Sequence, residues 1–188
     1  MNIILGSQSP RRRELLSGLD LTHTDVTIDA DESYPPHLTG GDIPIYISRA
    51  KAEAYTRTHS LAPDDLLITS DTIVWLNGQV LGKPHNEAEA RHMLRALSGK
   101  THQVYTAVTF ATNHNLQTEV DCCHVTFDTL SDADIDYYID RYRPLDKAGA
   151  YGIQEWIGLA AVTRIEGSYF TVMGFPTHLV HQFLQKLK

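Results

Sequence analysis

Cysteine is nearly absent. The chain of 188 residues has two, and they are neighbours, Cys122 and Cys123. Adjacent residues in a strand point to opposite faces, so a bridge between them is disfavoured. Two cysteines also supply neither a disulfide framework nor a spaced thiolate cluster. Positive charge is scarce as well: 16 Lys and Arg stand against 23 Asp and Glu, a formal net charge of -7. An acidic chain binds phosphates only by concentrating its cations locally. It is a poor candidate for general nucleic-acid binding, which needs an extended basic surface. No apolar run is long enough to span a membrane. The opening Met1 to Leu5 is too short and uncharged for a signal peptide, and Arg11 to Arg13 follow it instead of preceding it. The expected location is therefore the cytoplasm. Ten histidines are present, but none lies in an HExxH pattern, and no Cys/His spacing matches a zinc site. GxSxG, P-loop and GxGxxG patterns are missing too.

What is present is the composition of a globular protein, with 42% hydrophobic and 21% charged residues. Asn2 to Leu5 reads as a buried strand ended by Gly6. Ser9 then reads as an N-cap with Pro10 at the first helical position, and the helix stops near Gly18. Asp25 to Gly41 reads as strand, then loop. Pro44 opens a helix with Ile47, Ala50 and Ala54 on one face, ending before Pro63. Leu66 to Thr69 is an apolar strand. Asn77-Gly78, between Ile73–Leu76 and Gln79–Leu81, predicts a hairpin, because a type I′ turn needs positive φ at both central residues. Asn86 starts a helix with Glu89 placed to complete a capping box, and Gly99 closes it. Gln103–Thr112 and Thr118–Phe127 predict a long antiparallel pair. Ser131 caps a further helix; Leu159–Ile165 and Tyr169–Val172 read as strands, and Pro176 opens the last helix. The alternation predicts an α/β fold with a mixed sheet and flanking helices, in one domain over residues 1–188.

Several stretches carry the candidate chemistry. Ser7-Gln8-Ser9-Pro10-Arg11-Arg12-Arg13 follows a strand and opens a helix, where free backbone N–H groups and the helix dipole favour an anion. Arginines add planar forks for phosphate oxygens. The plainer reading is a solvated basic turn. Cations at a helix N-terminus oppose the dipole, which favours an anionic ligand. Thr69-Ser70-Asp71-Thr72 follows an apolar strand, and a carboxylate at a strand end is placed to hold Mg²⁺ or to take a proton from water. Alone, it reads more simply as a turn or cap. Lys83, in Gly82-Lys83-Pro84, and Lys51, on the apolar face of its helix, are candidate phosphate cations; each is otherwise a solvated or snorkelling lysine. Asp29, Asp31 and Glu32 form an acidic group suited to a divalent cation or to a solvated loop. In Asp146 to Gln154, small residues let backbone approach a flat ligand. The Gln154 amide both donates and accepts, as a pyrimidine edge requires.

Together these stretches resemble the Maf (septum-formation-inhibitor) family of nucleotide pyrophosphatases. The matching pieces are SxSPRRxELL at Ser7–Leu16, RAKA at Arg49–Ala52, SDTIV at Ser70–Val74, GKP at Gly82–Pro84, YTAV at Tyr105–Val108, DKAGAYGIQ at Asp146–Gln154 and GSYFTVMGFP at Gly167–Pro176. They run in family order across nearly the whole chain. The resemblance implies an α/β architecture similar to the inosine-triphosphate pyrophosphatases, with two lobes around a cleft and often a homodimer. It implies Mg²⁺ or Mn²⁺ as cofactor. It also implies hydrolysis of a nucleoside triphosphate to the monophosphate and pyrophosphate. SPRR, SDTIV and AYGIQ look like the branch acting on dTTP and UTP; the alternatives are the 7-methyl-GTP branch and a nucleotide-binding regulator of cell division. On this resemblance Asp71 is the general base, Lys51 and Lys83 act beside it, and Ser9, Arg11, Arg12, Thr72 and Gln154 hold the substrate. Glu32 and Asp71 are the candidate metal ligands. Departures are small: Gly6 and Gln8 around the first motif, and Glu155 where a glycine is common after Gln154.

Overall fold

The computed structural model describes residues 1–187. Its strands are β1 (Asn2–Gly6), β2 (His23–Val26), β3 (Asp65–Leu76), β4 (Gln79–Leu81), β5 (Thr101–Ala111), β6 (Leu116–Phe127) and β7 (Val162–Glu166). Its helices are α1 (Pro10–Ser17), α2 (Asp42–Thr58), α3 (Glu87–Leu97), α4 (Asp132–Tyr142), α5 (Trp156–Ala161), α6 (Tyr169–Val172) and α7 (Thr177–Lys186), with two 3₁₀ turns between α4 and α5. The seven strands form one sheet in the order β2-β1-β3-β5-β6-β7, with β4 paired to β3. β1 pairs in parallel with both β2 and β3, while β3–β4 and β6–β7 are antiparallel. The sheet is therefore mixed and the helices flank it in sequence, the α/β class that the alternation predicts. Among the described residues no helix is long and apolar enough to cross a membrane.

The chain divides into two compact units, and it passes between them within β3, β5 and β6. The first holds Met1–Thr72, Thr106–Asp121 and the segment from Gly174 on. Its core gathers Ile3 and Leu5 of β1, Leu66 and Ile68 of β3, Phe110 of β5, and Val180 and Phe183 of α7. Phe110 and Phe183 stack with ring centroids 3.9 Å apart. The second unit holds Ile73–Tyr105 and Cys122–Met173. Its core packs Met93, Leu94 and Leu97 of α3 and Ile135, Tyr138 and Ile139 of α4 with Val104, Val125 and Phe127 of the sheet. Each unit thus buries its own apolar set, and removing apolar surface from water is the main force that holds a fold together.

Local chemistry explains most elements. Asn77 and Gly78 take φ of 50° and 83°, the pair of positive values a I′ hairpin turn needs, and they join β3 to β4. Ser131 caps α4 through a full capping box with Asp134. At α3 the Asn86 side chain accepts from Glu89 N–H, as expected. Glu89, however, turns its carboxylate to the N–H and ring nitrogen of His85 instead of to Asn86, so the box is half formed. Neither Cys122 nor Cys123 is in a disulfide; one is half-buried and the other buried, as expected of neighbours on opposite faces of a strand.

Three expectations are corrected. Leu66–Thr69 and Ile73–Leu76 are not separate strands; β3 runs unbroken from Asp65 to Leu76. Asp71 therefore sits mid-strand, not at a strand end. The polar Thr-Ser-Asp-Thr run is accommodated because its side chains find partners there, as described below. Leu159–Ala161 closes a helix, and the strand starts only at Val162: the Leu-Ala-Ala run favours helix, and β-branched Val and Thr follow it. Tyr169–Val172 is a helical turn, closed by Thr171 N–H to Ser168 O and Met173 N–H to Tyr169 O. Gly167 and Gly174, at φ 123° and 99°, redirect the chain on either side of this turn.

Candidate active site

In the first unit the site is built where α2 docks on β3. Thr69 donates its hydroxyl to Ser48 O at 2.7 Å, and Ser48 donates back to Thr69 O at 3.3 Å. Ser48 Oγ also lies 2.8 Å from Thr109 Oγ1, which lies 2.9 Å from Thr118 Oγ1. Ser48, Thr69 and Thr109 are fully buried, so each hydroxyl needs the partner it has. This ladder fixes the helix against the strand. Lys51 lies three residues on from Ser48 along α2, and Asp71 two residues on from Thr69 along β3. Residues i and i+3 share a helix face, and i and i+2 share a strand face. The same docking therefore carries Lys51 onto Asp71.

They meet at 2.8 Å, Lys51 Nζ to Asp71 Oδ1, and the same ammonium lies 2.9 Å from Glu32 Oε1. The side chains of Lys51 and Asp71 are each only 13% exposed, so the charges are drawn out of solvent, and the carboxylates supply the neutralising partners that burial demands. Lys51 is thus not a snorkelling lysine. Of the acidic group, Asp31 accepts the N–H of Ser33 at 2.8 Å within its own loop, and Glu32 is the member that reaches Lys51.

Arg12 leaves the start of α1 and points inward. Its Nε donates to Gly174 O at 2.8 Å, Nη1 to Ser70 O at 2.8 Å, and Nη2 to Thr72 Oγ1 at 3.1 Å. Thr72 Oγ1 in turn lies 3.0 Å from Thr106 Oγ1. Burial draws the Arg12 guanidinium below its ordinary pKa, opposed by the nearby charge of Asp71, reinforced by Arg11 and opposed again by Glu32. The field of Asp71 and Glu32 thus reaches Arg12 as well as Lys51. Arg13 differs: it is exposed, donating to Gln8 O at 3.3 Å and lying 3.6 Å from Asp25, the plain basic-turn behaviour. Arg11 is half-buried. Ser9 occupies the N-cap position of α1, yet its side chain makes no capping bond; its N–H donates to the Ser7 hydroxyl at 3.1 Å. So Arg12, Lys51, Asp71, Thr72 and Glu32 come together in one unit, at the head of the helix that Ser9 and Arg11 begin.

Lys83 and Gln154 belong to the second unit. There the segments that carry them are tied: Gly149 N–H donates to Gly82 O at 3.0 Å, beside Lys83. Gln154 sits in a turn closed by Glu155 N–H to Gly152 O at 3.0 Å, with Ile153 and Gln154 as its central residues. Ile153 points into the core and Gln154 is exposed. Gly158 seats this turn. A Cβ on it would stand 1.8 Å from Ile153 O, so only glycine lets α5 approach so closely.

A supporting set here was not picked out from the sequence. The buried Tyr138 hydroxyl accepts Gly152 N–H at 3.0 Å and donates to Glu155 Oε2. Burial, and then the Glu155 carboxylate, push that hydroxyl well above its ordinary pKa, so it stays a donor. Lys147, only 9% exposed at its side chain, lies 2.8 Å from Asp146 and 3.2 Å from Glu155. The trace of this set in the sequence is the position of Glu155, directly after Gln154. The Ser48–Thr69–Thr109 ladder was likewise missed; the spacing of Ser48 before Lys51 was its only trace.

Among the described residues no group of three or more His, Cys, Asp and Glu side chains is placed to hold a metal ion. What exists is a pair, Glu32 and Asp71, gathered on one ammonium. That donor set fits a magnesium-type ion carried with a polyphosphate, which takes one or two carboxylates and fills its octahedron with phosphate oxygens and water.

Comparison with known proteins decides the family. The model of the family described as "Maf-like protein" matches residues 2–187. The chain belongs to the Maf-like family. A Bacteroides thetaiotaomicron protein named dTTP/UTP pyrophosphatase is 52% identical over 186 residues, 98% of this chain and 95% of its own length. One of the same name from Phocaeicola vulgatus is 54% identical over 186 residues, again 98% and 95%. Among solved structures, the Ham1 protein of Staphylococcus aureus matches with a TM-score of 0.58 at 14% identity over all of both chains. At that identity the likeness speaks for a shared fold. The Maf-like motifs fall on the parts just described: SDT on β3, RAKA on α2, SPRR at the head of α1 and GAYGIQ in the Tyr138-held turn.

Proposed function

We propose that this protein hydrolyses dTTP and UTP to the nucleoside monophosphate and pyrophosphate. The observation that carries the reading is the Lys51 ammonium held between Asp71 and Glu32, on the SDT and RAKA motifs of a chain about half identical to proteins named dTTP/UTP pyrophosphatase.

Asp71, Lys51 and Glu32 lie in the first unit. Asp71 gives Oδ1 to Lys51, so proton uptake falls to Oδ2. A water there transfers its proton to Asp71 as its oxygen bonds to the α-phosphorus. The bond from that phosphorus to the bridging oxygen breaks, and pyrophosphate carries away the electron pair. Lys51 and Lys83 stabilise the charge that grows on the phosphoryl oxygens. Arg11, at the N-terminus of α1, and the Ser9 hydroxyl bind the phosphates. Arg12 spends at least three N–H groups on Gly174, Ser70 and Thr72; its role is to hold β3 and its Asp71 in register, with its remaining donors turned to phosphate. A divalent cation, Mg²⁺ or Mn²⁺, supplies charge neutralisation on the polyphosphate, and Glu32 and Asp71 are the residues that would hold it.

Base choice rests on Gln154, with Thr72 beside the phosphate set. A thymine or uracil edge offers carbonyl acceptors and an imide N–H, and one amide satisfies two of these groups. The test is a panel of nucleoside triphosphates with Mg²⁺, run on the wild type and on Gln154→Glu. The wild type should prefer dTTP and UTP. The variant should lose kcat/KM on these two well beyond its loss on purine triphosphates, because a hydrogen-bond mismatch covered by the bound base is penalised sharply. An equal proportional loss on all substrates would remove Gln154 from base reading.

A further inference from the structure

We propose that Tyr138 and Glu155 form a clamp that presets the Gln154 turn for the pyrimidine base, which makes both of them positioning residues for specificity. The inference rests on Gln154 being the base reader. A tyrosine O–H gives one proton and accepts on its lone pairs. Tyr138 uses both capacities on the two ends of the same turn. It accepts the N–H of Gly152, the first residue, at 3.0 Å, and it donates to the carboxylate of Glu155, the last. The turn's own bond, Glu155 N–H to Gly152 O at 3.0 Å, closes the ring. Gln154 is held between these anchors, so its exposed side chain stands on a backbone fixed at both ends.

The clamp is itself fixed. Tyr138 is fully buried on α4 and stacks on Tyr142 with centroids 5.1 Å apart. Glu155 is pinned on its other oxygen by Lys147 at 3.2 Å. The space above Gly152 belongs to this arrangement: a Cβ there would lie 2.9 Å from Glu155 Cδ and 3.0 Å from Gln154 Nε2. The Glu155 carboxylate and the Gln154 amide thus pack over the same glycine, one as support and one as reader. A glycine at position 155 would supply neither the carboxylate that takes the Tyr138 hydrogen bond nor the partner that neutralises Lys147. The Glu155 side chain is therefore what builds the clamp.

The test compares Tyr138→Phe and Glu155→Ala, which removes the acceptor, with Gln154→Glu, measuring kcat and KM on dTTP, UTP and GTP, together with hydrogen exchange of the Gly152 amide. A preset reader that is loosened weakens base recognition more than chemistry. Both clamp variants should raise KM for dTTP and UTP on the order of ten-fold, the scale on which supporting partners act, with a far smaller change in kcat and a reduced preference over GTP. The Gly152 amide should exchange faster in Tyr138→Phe. If Gln154→Glu lowers the preference while both clamp variants keep it, the proposal is overturned and the base-reading role of Gln154 stands. If Gln154→Glu leaves the preference intact, the base-reading role falls and takes the proposal with it. Should Tyr138→Phe fail to fold, Glu155→Ala, at the more exposed end of the clamp, decides alone.

Discussion

Ser48 and Thr69 bond to each other in both directions, hydroxyl to carbonyl, at 2.7 Å and 3.3 Å. This reciprocal pair sets the register between α2 and β3, and the register places Lys51 on Asp71 one turn and two residues further along. The charged pair thus rests on a buried, uncharged pair that is itself tied to Thr109 at 2.8 Å. Such an arrangement fixes a functional pair on regular elements instead of on a loop, where positions are held less tightly.

Asp71→Asn keeps the shape of the side chain and removes its basicity. The kcat should fall by a factor on the order of 10² or more, the usual scale for a positioned acid–base group. Nucleotide binding, measured by titration calorimetry with Mg²⁺ present, should persist. Turnover close to wild type would move the base to another residue.

Arg12→Lys should be a poor replacement. A lysine reaches one of the three acceptors at best, so two of Gly174 O, Ser70 O and Thr72 Oγ1 lose the guanidinium, although Gly174 O keeps Ser70 Oγ at 3.3 Å and Thr72 Oγ1 keeps Thr106 Oγ1 at 3.0 Å. A hydrogen bond to a charged group is worth about 1.5–3 kcal/mol, and the partners that remain argue for the lower end. Urea unfolding should show a loss of about 2 kcal/mol, with kcat/KM falling in parallel. Wild-type stability in the lysine variant would return Arg12 to a purely phosphate-binding role.

His102 predicts a pH dependence of stability. It lies 2% exposed, with Nε2 2.7 Å from the Tyr151 hydroxyl and its ring edge-to-face with Phe127 and Tyr151. Burial lowers its pKa from 6.5 to about 4. Between those values the unfolded chain binds a proton that the folded chain refuses. Stability from this residue is therefore whole above pH 6.5 and is lost as the pH falls towards 4. Between about pH 7 and about pH 5 the loss should be about 2 kcal/mol. His102→Phe should remove that part of the slope in urea unfolding, whatever its own stability at neutral pH. An unchanged slope would mean the imidazole is not held neutral.

Much of this was legible in the sequence, because local chemistry decided it. Asn77-Gly78 dictated a hairpin turn that few other dipeptides form as readily, and Ser131 announced the start of α4. Where tertiary partners decide, sequence reading fell short. The polar run at Thr69 to Thr72 looked like the end of a strand, and it lies inside one because Ser48, Arg12 and Lys51 satisfy it from elsewhere in the chain. Tyr169 to Val172 has strand composition, yet it forms a helical turn between two redirecting glycines. The candidate site residues of the first unit were visible as motifs, but that Arg12 braces β3 from the inside was not, since nothing in three consecutive arginines tells which one turns inward. Nothing in the sequence singles out Tyr138; its hydroxyl gains a meaning only once Gly152 and Glu155 are brought to it.

The claim at the centre of the account is that water attacks the α-phosphorus with Asp71 as base. Hydrolysis of dTTP with Mg²⁺ in ¹⁸O-labelled water, with products separated by chromatography and weighed by mass spectrometry, tests it directly. The expected products are thymidine monophosphate carrying one ¹⁸O and unlabelled pyrophosphate. Thymidine diphosphate with labelled orthophosphate, or label in the pyrophosphate, would contradict it.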